Sequence, residues 1–305
     1  MLSALALAAL IQSAPVSEDV FILSEPAPLH GTLLTPADTQ AAAVLIPGSG
    51  PTDRNGDQLP AIRAATLRLL AEGLAGQGVA TVRIDKRGVG ASAAAALSED
   101  ALRFDHMVED ARAWAADLAM RTGRNCVWLM GHSEGGLVAQ VAAVDNPQVC
   151  GVVLLASAGR PAADILREQL AALPQPLNDQ AMHGLSELEA GRTVETVPGL
   201  EALFRPSVQP YLISWFRHDP RELAAAYDRP MLVVHAARDI QVNEVDADAL
   251  ATAQPNARRL DLEGVNHVLK AAPEDRAGNI SVYADPDAPL AEGLADAVAA
   301  FILEN

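Results

Sequence analysis

The 305-residue chain lacks several things, and each shortage narrows what it does. It has only two cysteines, Cys126 and Cys150, with no Cys-x-x-Cys, and its seven histidines never fall at His-x-x-x-His spacing. A metal site is therefore not expected. Cations are scarce: 22 Lys and Arg stand against 39 Asp and Glu, a net charge of −17 with no basic cluster to offset it. Such a field repels phosphate backbones and anionic lipid surfaces, so nucleic acid is not an expected partner. Aromatics make up only 4% of the chain, so any local concentration of them stands out. The N-terminal apolar run, Leu2 to Ile11, is too short to span a bilayer, and no stable membrane insertion is expected.

That run does have the size of a secretory signal core. Against this, no Lys or Arg precedes it, and Gln12-Ser13-Ala14, followed by Pro15, makes a poor cleavage site. Residues 1–17 are read as a signal peptide or an N-terminal helix. The first implies a periplasmic or secreted protein, the second a cytoplasmic one.

Half of the residues are hydrophobic, and a chain of this length buries roughly three quarters of its unfolded surface. The informative stretch is Gly131-His132-Ser133-Glu134-Gly135-Gly136. It follows the apolar run Cys126 to Met130 and precedes the helical pattern Leu137 to Ala143. Gly-x-Ser-x-Gly between a strand and a helix is a nucleophile elbow, which pushes the serine hydroxyl clear of the sheet edge. The glycines let neighbouring backbone close in on the turn.

Around it the chain alternates. Short strands are expected at Val20–Leu23 and Leu29–Leu34, then buried strands at Ala42–Ile46, Val79–Ile84, Gly151–Ala156 and Met231–Ala236, with a further strand at Ala257–Leu262. Helices are expected over Ile62–Gln77, Phe104–Arg121, Asn243–Gln254 and Pro289–Leu303. This rhythm predicts an α/β fold, a mostly parallel sheet with helices on both faces and its chemistry at the carboxyl ends of the strands. It breaks between residues 159 and 228, too long for a simple connection. Helical patterns there (Ala162–Leu173, Val208–Phe216) are interrupted by prolines. Residues 159–228 are read as a helical cap inserted before the acid-bearing strand, leaving 18–158 and 229–305 as the core.

A serine nucleophile needs a base, and the base an orienting acid. In this fold class the acid and then the histidine follow the serine, each in a loop after a strand. Asp239 and His267 occupy those loops. The remaining histidines are read as structural, His132 as a packed neighbour of the nucleophile. Oxyanion donors are expected at the backbone N–H groups of Glu134 and of Ser49, with Gly50 the near rival, in the loop Pro47-Gly48-Ser49-Gly50; Pro47 and Pro51 have no N–H to give. In the cap, Tyr211, Leu212, Trp215 and Phe216 form an apolar face. Tyr211, Trp215 and Phe216 are candidates for a substrate pocket, with cap core as the alternative.

These motifs resemble the α/β-hydrolases, and within them bacterial serine esterases of the group also described as serine-aminopeptidase-like. The likeness rests on Pro47 to Gly56, on Arg83-Ile84-Asp85-Lys86-Arg87-Gly88-Val89-Gly90-Ala91-Ser92, on the elbow, and on the Asp239 and His267 loops. One departure is Pro47-Gly48 where many relatives have His-Gly. The resemblance implies hydrolysis of small or medium acyl esters through an acyl-enzyme without a cofactor. It marks Asp53-Arg54 and Asp85-Lys86-Arg87 as an ion-pair lattice holding the oxyanion loop. An aminopeptidase or amidase is the alternative, with a substrate amine held by cap acids such as Glu187, Glu189, Glu195 or Glu201. A non-catalytic binding protein of the same fold is a further one.

Cys126 lies seven residues before Ser133, and Cys150 seven before Ser157, which predicts matching registers at the amino end of adjacent strands. The pair is either a disulfide, in an exported protein, or two reduced buried thiols.

Overall fold

The computed structural model describes residues 14–305, so the apolar run of the leader lies outside the described residues. Eight strands form one sheet: β1 (Val16–Ile22), β2 (Leu29–Thr35), β3 (Ala41–Ile46), β4 (Val79–Ile84), β5 (Val127–His132), β6 (Val149–Leu155), β7 (Met231–Ala236) and β8 (Arg258–Leu262). Their order across the sheet is β1-β2-β4-β3-β5-β6-β7-β8. β1 pairs antiparallel with β2, and β2 with β4; every other pair is parallel. β1 begins at Val16, four residues ahead of the sequence expectation and inside the stretch assigned to the leader, because its full length pairs with β2.

The central strands are apolar throughout because each feeds two cores. Side chains alternate across a strand. Ala42, Val44 and Ile46 of β3 and Leu129 of β5 face one core, shared with Phe104, Trp114 and Leu118 of α2 (Phe104–Thr122). Ala43, Leu45 and Met130 face the other, filled by Leu67, Leu70 and Leu74 of α1 (Thr66–Gly76) and by Val298, Ala299, Phe301 and Ile302. The helix α3 (Glu134–Ala143) follows β5 directly and packs on the first core.

Between β6 and β7 run five helices: α4 (Ala162–Leu170), α5 (Leu177–Glu189), α6 (Glu201–Phe204), α7 (Gln209–Trp215) and α8 (Pro220–Ala226). The sequence pattern marked only α4 and α7. The insert has its own small core of Ala181, Leu185, Leu188, Phe204 and Leu212. It is stitched to the main body by Ser214, whose hydroxyl accepts the Phe104 N–H at the start of α2 at 2.8 Å. The chain then continues through α9 (Glu244–Ala253), α10 (Arg276–Ser281) and α11 (Leu294–Glu304).

Two helix boundaries differ from expectation for local reasons. The helix expected from Ile62 starts at Thr66, because Ile62 exchanges backbone hydrogen bonds with Gln58 and Ala65 gives its N–H to Asp57 at φ 51°. The last helix starts at Leu294, after Gly293 in the left-handed region, so residues 289–293 are outside it. None of the described helices is long and apolar enough to cross a membrane.

Cys126 and Cys150 are joined as a disulfide, with Cα atoms 5.2 Å apart. The one-to-one register expected from their spacing is not what joins them. Trp128 pairs with Gly151 and Val127 with Val149, and the shift between those pairs leaves Cys150 as the extra residue facing Cys126.

Candidate active site

Ser133 sits at the junction of β5 and α3 with φ 55° and ψ −123°, a backbone conformation that side chains rarely adopt. The strain is held in place from both sides. Ser133 N–H donates to Leu155 O at 2.9 Å, and the Ser157 hydroxyl donates to Ser133 O, also at 2.9 Å. The turn also needs its glycines. A Cβ on Gly131 would meet Gly135 O at 2.0 Å, and one on Gly135 would meet Ile46 O at 2.5 Å. The helix α3 then points its free N–H groups at the serine.

His267 Nδ1 lies 2.6 Å from Asp239 Oδ2, deep in the protein, and the His267 ring is buried. The other Asp239 oxygen accepts the N–H groups of Gln241 and Val242 at 2.7 and 2.9 Å. An acid so anchored fixes the imidazole tautomer, with the proton on Nδ1 and the Nε2 lone pair free. The loop carrying His267 is tied down by the wholly buried Asn266, whose N–H bonds Lys270 O at 3.0 Å, and by Thr66, whose hydroxyl bonds Val268 O at 2.9 Å. Ser133 and His267 line one small cavity; no hydrogen bond joins the Ser133 hydroxyl to the ring among the described residues. Such contacts commonly tighten only with substrate present.

His132 packs its ring 4.8 Å from that of His267, and its Nε2–H donates to His267 O at 2.8 Å. A carbonyl only accepts, so Nε2 carries the proton. Burial, and then the neighbouring His267, push the His132 imidazole down to about 4, which keeps a second positive charge away from the His267 ring.

The loop after β3 closes the other side. Gly48 packs so tightly that a Cβ there would lie 3.1 Å from Ser133 Cβ. The N–H groups of Ser49 and Glu134 have no acceptor among the described residues, and both residues line the cavities at Ser133. The loop is braced from below. Lys86 Nζ donates to Gly48 O, and burial lowers its affinity for a proton while Glu134 supports the charge. Arg54 grips Asp85 with Nη2 at 2.7 Å and Nε at 3.0 Å, and Asp85 also accepts the Arg54 and Ala91 N–H groups. Asp53 closes the turn by accepting from Asn55 and Asp57, and Arg87 pairs instead with Asp110 at 2.6 Å. The lattice is thus Arg54 held between Asp85 and Asp19, a separate pair of Arg87 with Asp110, and one lysine contact; of these charged groups only Lys86 reaches the loop itself.

Two cavities flank Ser133. One, of about 220 Å³, is mainly apolar and lies under the inserted helices, lined by Leu137, Ile165, Leu166, Trp215 and Val242, with Arg160, Gln169 and Gln241 also on its wall. Of the three aromatic candidates only Trp215 lines it. Tyr211 packs between the inserted helices and the main core with its hydroxyl on Glu134, and Phe216 packs on the small core of the insert. The other cavity, of about 50 Å³, has Gln58, Gln241 and Tyr283 beside His267. Neither Gln241 nor Tyr283 carries a sequence signal, since Tyr283 comes from the far side of α10 and reaches the site only by folding. Glu187, Glu189, Glu195 and Glu201 line neither cavity. A larger space of about 690 Å³ lies at the amino ends of the strands beside the disulfide, and none of the candidate residues border it.

Comparison with known proteins bears on both fold and site. Residues 63–263 match the model of the family described as "Serine aminopeptidase, S33", a span that holds Ser133 and Asp239 but ends before His267. The chain is 27% identical over 233 residues to Esterase EstD of Thermotoga maritima, covering 75% of this chain and 54% of that protein. It therefore spans about half the length of the curated relative it matches. The esterase domain of a Rhodothermus marinus protein superposes with a TM-score of 0.59 at 18% identity, over 95% of this chain and 98% of the other. Est1E of Butyrivibrio proteoclasticus superposes with a TM-score of 0.58 at 17% identity, over 94% and 98%. At such identities these two show the shared α/β-hydrolase fold.

Proposed function

The chain belongs to the serine aminopeptidase S33 family of α/β-hydrolases, and from that premise we propose that it is a carboxylesterase acting on small or medium acyl esters. The observation that carries this reading is the 2.6 Å contact between His267 and a fully anchored Asp239, on the wall of the cavity that Ser133 enters.

In this reading Ser133 Oγ attacks the ester carbonyl carbon while its proton passes to His267 Nε2. The carbonyl oxygen becomes an oxyanion facing the Ser49 and Glu134 N–H groups, which are free to donate. The C–O bond to the alcohol then breaks, and His267 returns its proton to the leaving alkoxide. Water repeats the sequence on the acyl-enzyme, giving the acid and free Ser133. Asp239 holds the ring and stabilises the imidazolium. The inserted helices act as a cap over the acyl chamber. The disulfide supports export to an oxidising compartment, the periplasm or beyond.

The aminopeptidase reading needs an acidic anchor for a free amine. The cap acids are away from the site, and Glu134, which does line the larger cavity, already accepts from Tyr211. Ester hydrolysis is the better fit. Labelling by a fluorophosphonate probe, lost in Ser133→Ala, tests the nucleophile. Turnover of p-nitrophenyl acetate without turnover of aminoacyl-nitroanilides is the expected pattern; the reverse preference overturns it.

A further inference from the structure

The two cavities at Ser133 differ in which of them His267 borders, and the chemistry of ester cleavage gives that difference a meaning. The alcohol oxygen must receive its proton from His267, so the leaving group lies over that ring. The cavity bordered by His267 is the small one, which holds Gln58 and Tyr283; the larger chamber is bordered by Ser133 but not by His267, and Gln241 stands between the two, lining both. Resting on the esterase reading, we propose that the small cavity is a subsite for a short, hydroxyl-bearing alcohol, read by Gln241 and Tyr283.

The polar inventory of this cavity supports that class of leaving group. Gln241 Nε2 donates to the Tyr283 hydroxyl at 3.1 Å, and that hydroxyl's own proton finds no acceptor among the described residues. The Gln241 side-chain carbonyl has no donor there either. Tyr283 is buried, with burial pushing its phenol up, so the hydroxyl remains a neutral donor. On the opposite wall, Gln58 spends its amide on Ser49 O at 2.8 Å and Thr52 Oγ1 at 2.7 Å, bracing the loop. One donor and one acceptor, side by side at a site of about 50 Å³, match a single hydroxyl on a short arm. That volume holds roughly two to four groups the size of a water molecule, which suits the short arm of a small alcohol. The Tyr283 hydroxyl is buried, so an apolar isostere that leaves it unpaired is disfavoured, while the exposed Gln241 supplies the matching acceptor from the rim.

The test uses two esters of one acid with leaving groups of the same size: hydroxyethyl butyrate and propyl butyrate, followed by titration of the acid released. The wild-type protein is expected to favour the hydroxyethyl ester by about 10-fold in kcat/KM, the scale of one hydrogen bond to a partly enclosed group. Tyr283→Phe and Gln241→Leu are each expected to reduce that ratio towards one. A second measurement needs no variant. Ethylene glycol and propanol compete with water for the butyryl-enzyme: the acceptor oxygen attacks the acyl carbon as its proton goes to His267, the bond to Ser133 Oγ breaks, and His267 passes that proton to Ser133. Ethylene glycol is expected to capture several-fold more acyl group than propanol at equal concentration. Equal capture, or a wild-type ratio near one, overturns the subsite and leaves the esterase reading standing. Hydrolysis of neither ester overturns both.

Discussion

Tyr211 Oη donates to Glu134 Oε1 at 2.7 Å, tying the inserted helices to the residue that follows Ser133. Burial and the adjoining carboxylate hold the phenol well above its ordinary range, so it stays a donor. Tyr211→Phe removes only this hydrogen bond. A bond to a charged acceptor is worth about 1.5–3 kcal/mol, so urea unfolding is expected to show a loss on that scale. KM is expected to rise more than kcat falls, because the bond positions the inserted helices and not the reacting atoms.

Ser133→Ala is expected to lower kcat on p-nitrophenyl acetate by about a million-fold, the scale seen when a triad acts as a unit. Asp239→Asn is expected to cost about 10⁴-fold, because the amide loses the charge that orients and stabilises the His267 imidazolium. A Ser133→Ala protein keeping a tenth of the activity would dismiss the mechanism.

His132 gives the protein an acid limit. Its imidazole titrates at about 4 when folded, against 6.5 when free. A folded value below the unfolded one means the unfolded chain binds the proton first. Stability is therefore intact above pH 6.5, falls as the pH drops, and is fully lost by this group below about 4. The shift amounts to about 3 kcal/mol, in order of magnitude. His132→Asn is expected to flatten that part of a stability-versus-pH curve; an unchanged slope between pH 6.5 and 4 counts against it.

Lys86→Met tests the brace under the oxyanion loop. With Gly48 O released from Lys86 Nζ, the Ser49 N–H loses its set direction. Misplacing one oxyanion donor costs about 10²–10³-fold in kcat, which sets the expected loss, with KM near wild type. Thermal unfolding run alongside distinguishes this from collapse of the fold. A kcat within a few-fold of wild type removes Lys86 from the argument.

The bond between Cys126 and Cys150 closes a separation of 24 residues. In the chain-entropy model such a loop is worth about 3 kcal/mol. Unfolded, unreduced protein is expected to show no free thiol in a thiol count, and the double substitution Cys126→Ser, Cys150→Ser to lower stability by about that amount without changing kcat. Two free thiols would remove the bridge and the support it lends to export.

Much of this protein is written locally. Strands buried on both faces announce themselves as unbroken apolar runs, as in Ala42–Ile46 and Met231–Ala236, because each neighbouring residue meets a different core. The elbow is equally legible, since a strained serine between a strand and a helix needs glycines that nothing else there would require. Asp239 and His267 followed from their places in loops after strands. What local pattern could not decide was contact between distant segments. Helix α1 starts late because Asp57 claims the Ala65 N–H, a side-chain competition that periodicity does not register. The cysteines meet through a register shift, which depends on how two strands settle against each other. Of three aromatics on one short stretch, the fold turns only Trp215 to the chamber and spends Tyr211 on Glu134. Tyr283 and Gln241 come within 3.1 Å from positions 42 residues apart in the chain, and only the packed tertiary structure makes them neighbours of His267.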